Sequence, residues 1–133
     1  MSPLAQAAVR EVEDLHQVFT ELFTGRLQTT ARLAQVFDCA FEMVTPGGMR
    51  LDREAVLAAL ASTKAGPDFR ISILSARPLW RDDDSILLQY VEQQYRDGRM
   101  TRRLSSALFR AEPTAPNGVV WRYLHETWMQ DAE

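Results

Sequence analysis

The stretch YVEQQYRDGRMTRRLSS, residues 90–106, predicts two β-strands that fold back on each other about one turn. Asp97-Gly98 is the residue pair preferred in a two-residue type I′ hairpin, because both central positions need a positive φ. Such a turn sets the register of the strands, so Glu92 is expected to lie directly opposite Arg103. Charged side chains therefore occupy a face on which a small protein usually keeps its core. We predict that this face lines a pocket.

The chain around this hairpin divides into a helical first half and a strand-rich second half. The second half contains four runs rich in β-branched and aromatic residues, separated by turn residues, and each run is typical of a strand. Helices followed by strands indicate an α+β fold with an antiparallel sheet and helices on one face. The four runs are FRISILSARPLW (69–80), SILLQYVEQQYR (85–96), RMTRRLSSALFRA (99–111) and VVWRYLHETWM (119–129).

Apolar residues at helical spacing predict a first helix over residues 4–23, with Gly25 as its C-terminal cap. Asp52 is a predicted N-cap for a later helix that ends near Ser62. The other predicted elements of this half are a helix in QTTARLAQVF (28–37), a strand in CAFEMVT (39–45), a turn at Pro46-Gly47-Gly48 and a short return strand in MRL (49–51).

The composition narrows the class of protein. The chain has 133 residues, 46% apolar and 25% charged, which predicts a single globular domain over residues 1–133. A net charge of −3 gives no basic surface for nucleic acid, and no run is long enough to cross a membrane. Cys39 is the lone cysteine, so we expect no disulfide and no cysteine zinc site. We expect a cytoplasmic protein with neither a metal nor a cofactor.

No tight turn joins the last two strands, so the sequence does not determine their register directly. If Ala111 pairs with Val119, one face collects both aromatic and polar side chains, and the opposite face is partly apolar. A bulge in either strand would exchange the two faces. The pairs expected on the mixed face are Tyr90 with Ser105, Gln94 with Thr101, Ser105 with His125, Arg103 with Thr127, and Phe109 with Trp121.

Arg103 is the residue that we expect to hold a ligand, since a guanidinium binds a carboxylate or a similar oxyanion through two hydrogen bonds. His125 and Glu92 are the candidate acid–base groups. His125 is the better candidate because its imidazole titrates near neutrality. The other predicted ligand-binding residues are Tyr90, Gln94, Ser105, Phe109, Trp121, Tyr123 and Thr127.

Structural interpretations of the same residues remain open at this point. Glu92 and Arg103 are also consistent with a cross-strand ion pair that only supports the sheet. His125 is also consistent with a hydrogen-bonded core histidine. His16 lies beside the apolar stripe of the first helix, from which it could reach the pocket or stay at the helix edge.

Three segments give the chain a resemblance to the nuclear transport factor 2-like superfamily, which has a cystatin-like cone fold. They are FEMVTPGGMRLDREAVLAAL (41–60), RRLSSALFR (102–110) and GVVWRYLHETW (118–128). Within the superfamily the chain looks most like the SnoaL-like branch, domain of unknown function 4440. The resemblance implies a curved mixed or antiparallel sheet wrapped around N-terminal helices, with a pocket at the mouth of the cone. It also implies a homodimer formed through the outer face of the sheet.

The enzymes of this superfamily give a sharper comparison. The positions that match the base and the two acid donors of ketosteroid isomerase hold Thr45, Val18 and Ser105, so that chemistry is not expected. The limonene epoxide hydrolase type places an arginine between two carboxylates, and the sequence shows one carboxylate, Glu92, beside Arg103. The tail WRYLHETWM partly resembles the association domain of calcium/calmodulin-dependent kinase II.

The function predicted first is binding of a small apolar molecule that carries a carboxylate or similar oxyanion. A cofactor-independent lyase, isomerase or hydrolase of the SnoaL-like kind is one alternative. An oligomerisation or partner-docking module is the other.

Overall fold

Two helices begin the chain, two short strands and a third helix follow, and four long strands complete the fold; the computed structural model describes residues 1–130. The helices are α1 (Pro3–Phe23), α2 (Ala31–Val36) and α3 (Arg53–Ser62). The strands are β1 (Phe37–Val44), β2 (Arg50–Asp52), β3 (Arg70–Arg81), β4 (Ser85–Arg96), β5 (Arg99–Ala111) and β6 (Val119–Trp128).

The ends of the helices follow from local chemistry. The Ser2 side chain caps α1 by accepting a hydrogen bond from the backbone N–H of Ala5, and Gly25 takes a positive φ of 81° just beyond its end. Asp52 caps α3 in the same way as Ser2 caps α1, and this confirms the predicted N-cap. The helix predicted in QTTARLAQVF is shorter than expected and occupies the six residues of α2.

The strands form one six-stranded curved sheet in the order β2-β1-β6-β5-β4-β3. β1 and β6 run parallel and all other neighbours are antiparallel, so the sheet is mixed. α1 packs against β3, β4 and β6 on the inner face, and α3 packs against β1 and β2. This arrangement confirms the predicted α+β class.

The β4–β5 hairpin has the geometry that its sequence predicts. Asp97 and Gly98 have φ angles of 53° and 77°, and Asp97 is the only non-glycine residue with positive φ in residues 1–130. Glu92 lies opposite Arg103, as expected. Strict alternation along β4 then turns Glu92 toward α1, where the side chain is buried.

A bulge in β6 changes the face on which the end of the strand presents its side chains. Phe109 pairs with Trp121 as predicted, but the preceding residue, Leu108, pairs with Tyr123. Arg122 is therefore the extra residue on β6, and every residue beyond it is shifted by one position. The register predicted for the end of β6 is wrong for this reason.

The shift changes which polar side chains of β6 point into the interior. Ser105 faces Glu126 instead of His125, and Arg103 faces Trp128 instead of Thr127. His125 and Thr127 are exposed, whereas Glu126 is buried with 4% of its surface accessible. The interior thus gains a carboxylate that the predicted register places outside.

A third buried carboxylate group, Glu11 on α1, accepts several structural hydrogen bonds. Arg32 donates to both of its oxygens, at 2.9 and 3.3 Å. Asn117 and the indole N–H of Trp121 each donate at 3.0 Å. Since these donors come from α2, the β5–β6 loop and β6, Glu11 fixes α1 against three other parts of the fold.

Candidate functional site

A cavity of about 300 Å³ opens between α1, α3 and the inner face of the sheet. Its wall is mostly apolar and aromatic, and its floor is polar. The wall residues are Leu15, Phe19, Phe23, Phe37, Phe41, Met43, Val56, Leu60, Trp121 and Leu124. We call His16, Glu92, Gln94, Arg103 and Glu126 the polar floor; Thr63 and Arg96 complete the lining.

His16 joins α1 to the sheet through two hydrogen bonds. One ring nitrogen, Nδ1, lies 2.7 Å from the carbonyl oxygen of Val12, one turn earlier on the helix. The other, Nε2, lies 2.8 Å from Oε1 of Glu92. The ring also packs against Phe19 and Tyr90, with ring centroids 5.2 and 5.6 Å away. These contacts fix the orientation of the imidazole.

These contacts determine the protonation of His16. A carbonyl oxygen can only accept, so Nδ1 must carry a proton, and an ionised Glu92 requires a second proton on Nε2. Burial alone would lower the pKa of His16, but the negative charge of Glu92 and the hydrogen bonds to Glu92 and Val12 outweigh burial and raise it. The pair is therefore an imidazolium and a carboxylate at any pH between the lowered pKa of Glu92 and the raised pKa of His16.

Glu92 is ionised for the matching reason. Burial alone would raise its pKa, but the charge and hydrogen bond of His16 act against burial, as do the charge of Arg103 and a hydrogen bond from Gln94. Together they lower the pKa of Glu92 to about 2. Glu92 is therefore a fixed negative charge, which orients its neighbours and is a poor proton acceptor.

Arg103 lies between two carboxylates. Its Nε is 3.7 Å from Oε2 of Glu92, and its Nη1 donates to Oε1 of Glu126 at 3.3 Å. The guanidinium also lies over the ring of Trp128, with its carbon 4.8 Å from the ring centroid. The buried Nε has no hydrogen-bond partner within residues 1–130. The arginine thus has spare donor capacity beside the cavity.

Glu126 differs from Glu92 in its proton affinity. Burial raises the pKa of Glu126, and the negative charge of Glu92 raises it further, against the opposing charges of Arg103 and His16. Its Oε2 accepts a hydrogen bond from the hydroxyl of Ser105 at 3.2 Å. Two carboxyl groups whose environments push their pKa values apart are an arrangement suited to acid–base chemistry.

The structure brings together only part of the predicted site. Four predicted residues line the cavity, namely Glu92, Gln94, Arg103 and Trp121. Three more, Tyr90, Ser105 and Phe109, are buried in the inner layer behind the cavity. Tyr123, His125 and Thr127 lie on the outer face, because the bulge at Arg122 shifts them there. The acid–base role predicted for His125 therefore has no place in this cavity.

Sequence reasoning missed two members of the polar floor. It left His16 between the pocket and the helix edge, and the Nε2–Oε1 contact places it in the pocket. It placed Glu126 on the outer face and therefore missed the second carboxylate beside Arg103. His16 has a weak signal in its position beside the stripe that includes Phe19, whereas the bulge has no glycine or proline to mark it.

Comparison with known proteins finds likenesses of structure, whereas no family model and no curated protein matches the sequence. An NTF-2 like protein of unknown function from Pseudomonas aeruginosa has a TM-score of 0.81 and 28% identity, over 93% of this chain and 99% of that one. The resemblance to the SnoaL-like branch stays a prediction.

Two more distant structures share the fold. The CaMKII hub of S. rosetta has a TM-score of 0.77 at 9% identity, over 94% of this chain and 96% of that one. An uncharacterised protein with a cystatin-like fold from Caulobacter vibrioides has a TM-score of 0.65 at 16% identity, over 90% and 87% of the two chains. Within residues 1–130, no helix is long and apolar enough to span a membrane, and no cluster of three metal-ligating side chains occurs.

The ion pair between His16 and Glu92 predicts how stability depends on pH. The pKa of His16 is raised above 6.5, so its contribution is complete below pH 6.5 and is lost as the pH rises through the folded-state value. The pKa of Glu92 is lowered from 4.5 to about 2, so its contribution is complete above pH 4.5. The pair therefore stabilises the fold most between pH 4.5 and 6.5.

We expect His16→Gln to destabilise the protein by about 3 kcal/mol at pH 5.5, since it leaves the Glu92 charge without its main partner. Urea unfolding at pH 5.5 and 8.5 measures this loss, which should be smaller at the higher pH. His125→Gln removes the exposed histidine and is the matched control, with little expected effect at either pH. Equal losses for His16→Gln at both pH values would contradict the charged pair.

Proposed function

We propose that this protein, whose chain has the nuclear transport factor 2-like fold, binds a small apolar molecule that carries a carboxylate or a similar oxyanion. The observation that supports the proposal most is the cavity itself, which has an aromatic wall and an arginine with spare donors in its floor. Cavities of this composition are typical of small-molecule sites.

Two arginines give the cavity its preference for an oxyanion. Arg103 is 16% exposed, so its guanidinium lies at the boundary between the buried carboxylates and the cavity. Arg96 lines the mouth, stacks over the ring of Phe69 at 5.2 Å, and has no carboxylate within ion-pair distance in residues 1–130. An incoming oxyanion would contact both guanidinium groups.

The volume restricts the size of the ligand. About 300 Å³ lies at the lower end of the range for small-molecule pockets, so a ligand with one aromatic ring or a short branched chain fits best. Phe19, Phe37 and Phe41 would pack against its apolar part, while the oxyanion would lie near Arg103.

A thermal-shift series with benzoate, phenylacetate and short branched carboxylates tests this function. We expect an acid at 100 times its dissociation constant to stabilise the wild type by about 2.7 kcal/mol, which raises Tm by several degrees. Arg103→Gln should abolish the shift. Arg102→Gln changes the neighbouring exposed arginine, which donates to Gln93, and should keep the shift.

A second variant covers the case in which Arg103→Gln does not fold. Leu60→Phe adds bulk to the wall and leaves every charged group in place, so it should weaken the shift by filling the cavity. A shift of equal size in wild type, Arg103→Gln and Leu60→Phe would place binding elsewhere. No shift with any acid would remove the proposed function.

Catalysis without a cofactor is the second candidate function, and the two unlike carboxyl groups beside Arg103 support it. Glu126, with its raised pKa, would be the acid–base group, and Arg103 would stabilise negative charge. These roles replace the one predicted for His125. Turnover assays on bound acids and their esters test the candidate, which fails if no bound molecule is converted at any pH.

Self-association through the outer face of the sheet is the partner interaction that we propose. The outer face carries half-buried apolar residues on three neighbouring strands, and Trp80 at its edge is 53% exposed. A large exposed apolar patch is typical of an interface. CaMKII hub and association domains share the fold and support association in this fold family. The apolar residues are Leu87, Val91, Leu104, Leu108 and Tyr123.

Sedimentation velocity tests the homodimer. We expect wild type to sediment with twice the mass of one chain, and Leu104→Arg to shift it to the monomer because the new charge lies in the interface. Glu13→Lys changes a charge on the exposed side of α1 and should leave the dimer intact. A monomeric wild type at high micromolar concentration would contradict the proposal.

A further inference from the structure

We propose that, without a ligand, Glu126 occupies the position on Arg103 that a ligand oxyanion takes. The oxyanion displaces Glu126 when it binds, and Glu126 then accepts one proton. This inference rests on the proposed binding function and adds its regulation and selectivity. The O–H bond of the Glu126 carboxyl group forms, and the O–H bond that breaks is that of a hydronium ion in the solvent or of the ligand's own carboxyl group.

The contact between Glu126 and Arg103 is one that a better-placed anion can replace. The distance from Nη1 to Oε1 is 3.3 Å, which is longer than the 2.7–2.9 Å usual for a charge-assisted hydrogen bond. Among residues 1–130, the other oxygen of Glu126 accepts only from Ser105, a neutral donor, at 3.2 Å. Glu126 is thus the more weakly held of the two carboxylates beside Arg103.

Glu92 is held far more firmly and cannot act as the displaced group. Nε2 of His16 lies 2.8 Å from Oε1 of Glu92, and the amide of Gln94 donates to Oε2. These donors lower the pKa of Glu92 to about 2, whereas burial raises that of Glu126. Of the two carboxylates, Glu126 is therefore the one that accepts a proton.

The charge balance of the polar floor requires that proton. The groups that face Glu126 are His16 from α1, Glu92 and Tyr90 from β4, and Arg103 from β5. Burial raises the pKa of Tyr90 well above 10, so Tyr90 is neutral. With Glu126 ionised, two carboxylates balance two cations, and a bound oxyanion would add an unbalanced negative charge to the polar floor. Arg96 also lines the cavity, but it is exposed at the end of β4, where water screens its charge.

An unbalanced buried charge is unfavourable by several kcal/mol, because the low-dielectric interior does not replace its hydration. Protonation of Glu126 removes the excess charge and frees Arg103 for the ligand. The protonated carboxyl group also gains an O–H donor, which can bond to the oxyanion that displaced it. Oxyanion binding and proton uptake are therefore linked.

Isothermal titration calorimetry with benzoate tests this linkage. Titrations between pH 5.5 and 8.5, in buffers that differ in ionisation enthalpy, count the protons taken up while benzoate itself stays ionised. We expect proton uptake to approach one per bound benzoate at pH values above the pKa of Glu126, where the affinity should fall by about tenfold per pH unit. The proton count needs no variant, so it stands whether or not a substitution disturbs folding.

Glu126→Gln keeps the shape and the hydrogen bond from Ser105 but removes the competing charge. We expect it to bind benzoate more tightly than wild type at pH 8, without the proton uptake, and with only the residual pH dependence of His16. Glu42→Gln removes an exposed carboxylate on β1 and should behave as wild type. Binding of benzoate to Glu126→Gln but not to wild type would also support the inference.

Two results would overturn it. Benzoate binding to wild type without proton uptake, or an identical pH dependence in Glu126→Gln, would refute the linkage and leave the proposed function intact. No binding of benzoate to wild type or to Glu126→Gln would reject this anion site, and the inference would fail with the function on which it rests.

Discussion

The extra residue in β6, Arg122, is the constraint on which the site depends. It turns Glu126 into the interior, where the alternation of β4 has already placed Glu92. Two buried carboxylates in one small volume are unfavourable unless cations accompany them. His16 from α1 and Arg103 from β5 supply those cations, so the bulge, the hairpin register and the position of α1 are linked through one set of charges.

Two of the buried carboxylates, Glu11 and Glu126, differ in how completely they are hydrogen-bonded. Glu11 accepts from four donor atoms and connects α1 to the rest of the fold. Glu126 accepts from two donors, at 3.2 and 3.3 Å, and lies at a cavity. A site that leaves Arg103 and Glu126 incompletely satisfied gives up some stability. A ligand of the proposed kind would recover part of it by completing the hydrogen bonds of Arg103.

Much of the fold is readable from sequence because local chemistry determines it. Asp97-Gly98 sets the β4–β5 register, and the cap at Asp52 sets the start of α3. The β5–β6 connection has no tight turn, and the bulge at Arg122 carries no glycine or proline, so the face of β6 could not be predicted. The contact of His16 with Glu92 spans 76 residues and depends on how α1 lies on the sheet, which no local pattern encodes.

The proposed linkage requires one fixed and one proton-accepting carboxyl group in the polar floor. The most direct measurement is a titration of the side-chain carboxyl ¹³C resonances of Glu92 and Glu126 by NMR, assigned with Glu92→Gln and Glu126→Gln. We expect Glu92 to titrate with a pKa of about 2 and Glu126 to titrate above the ordinary value of 4.5. Titration of both groups near 4.5, as in a solvated side chain, would contradict the account.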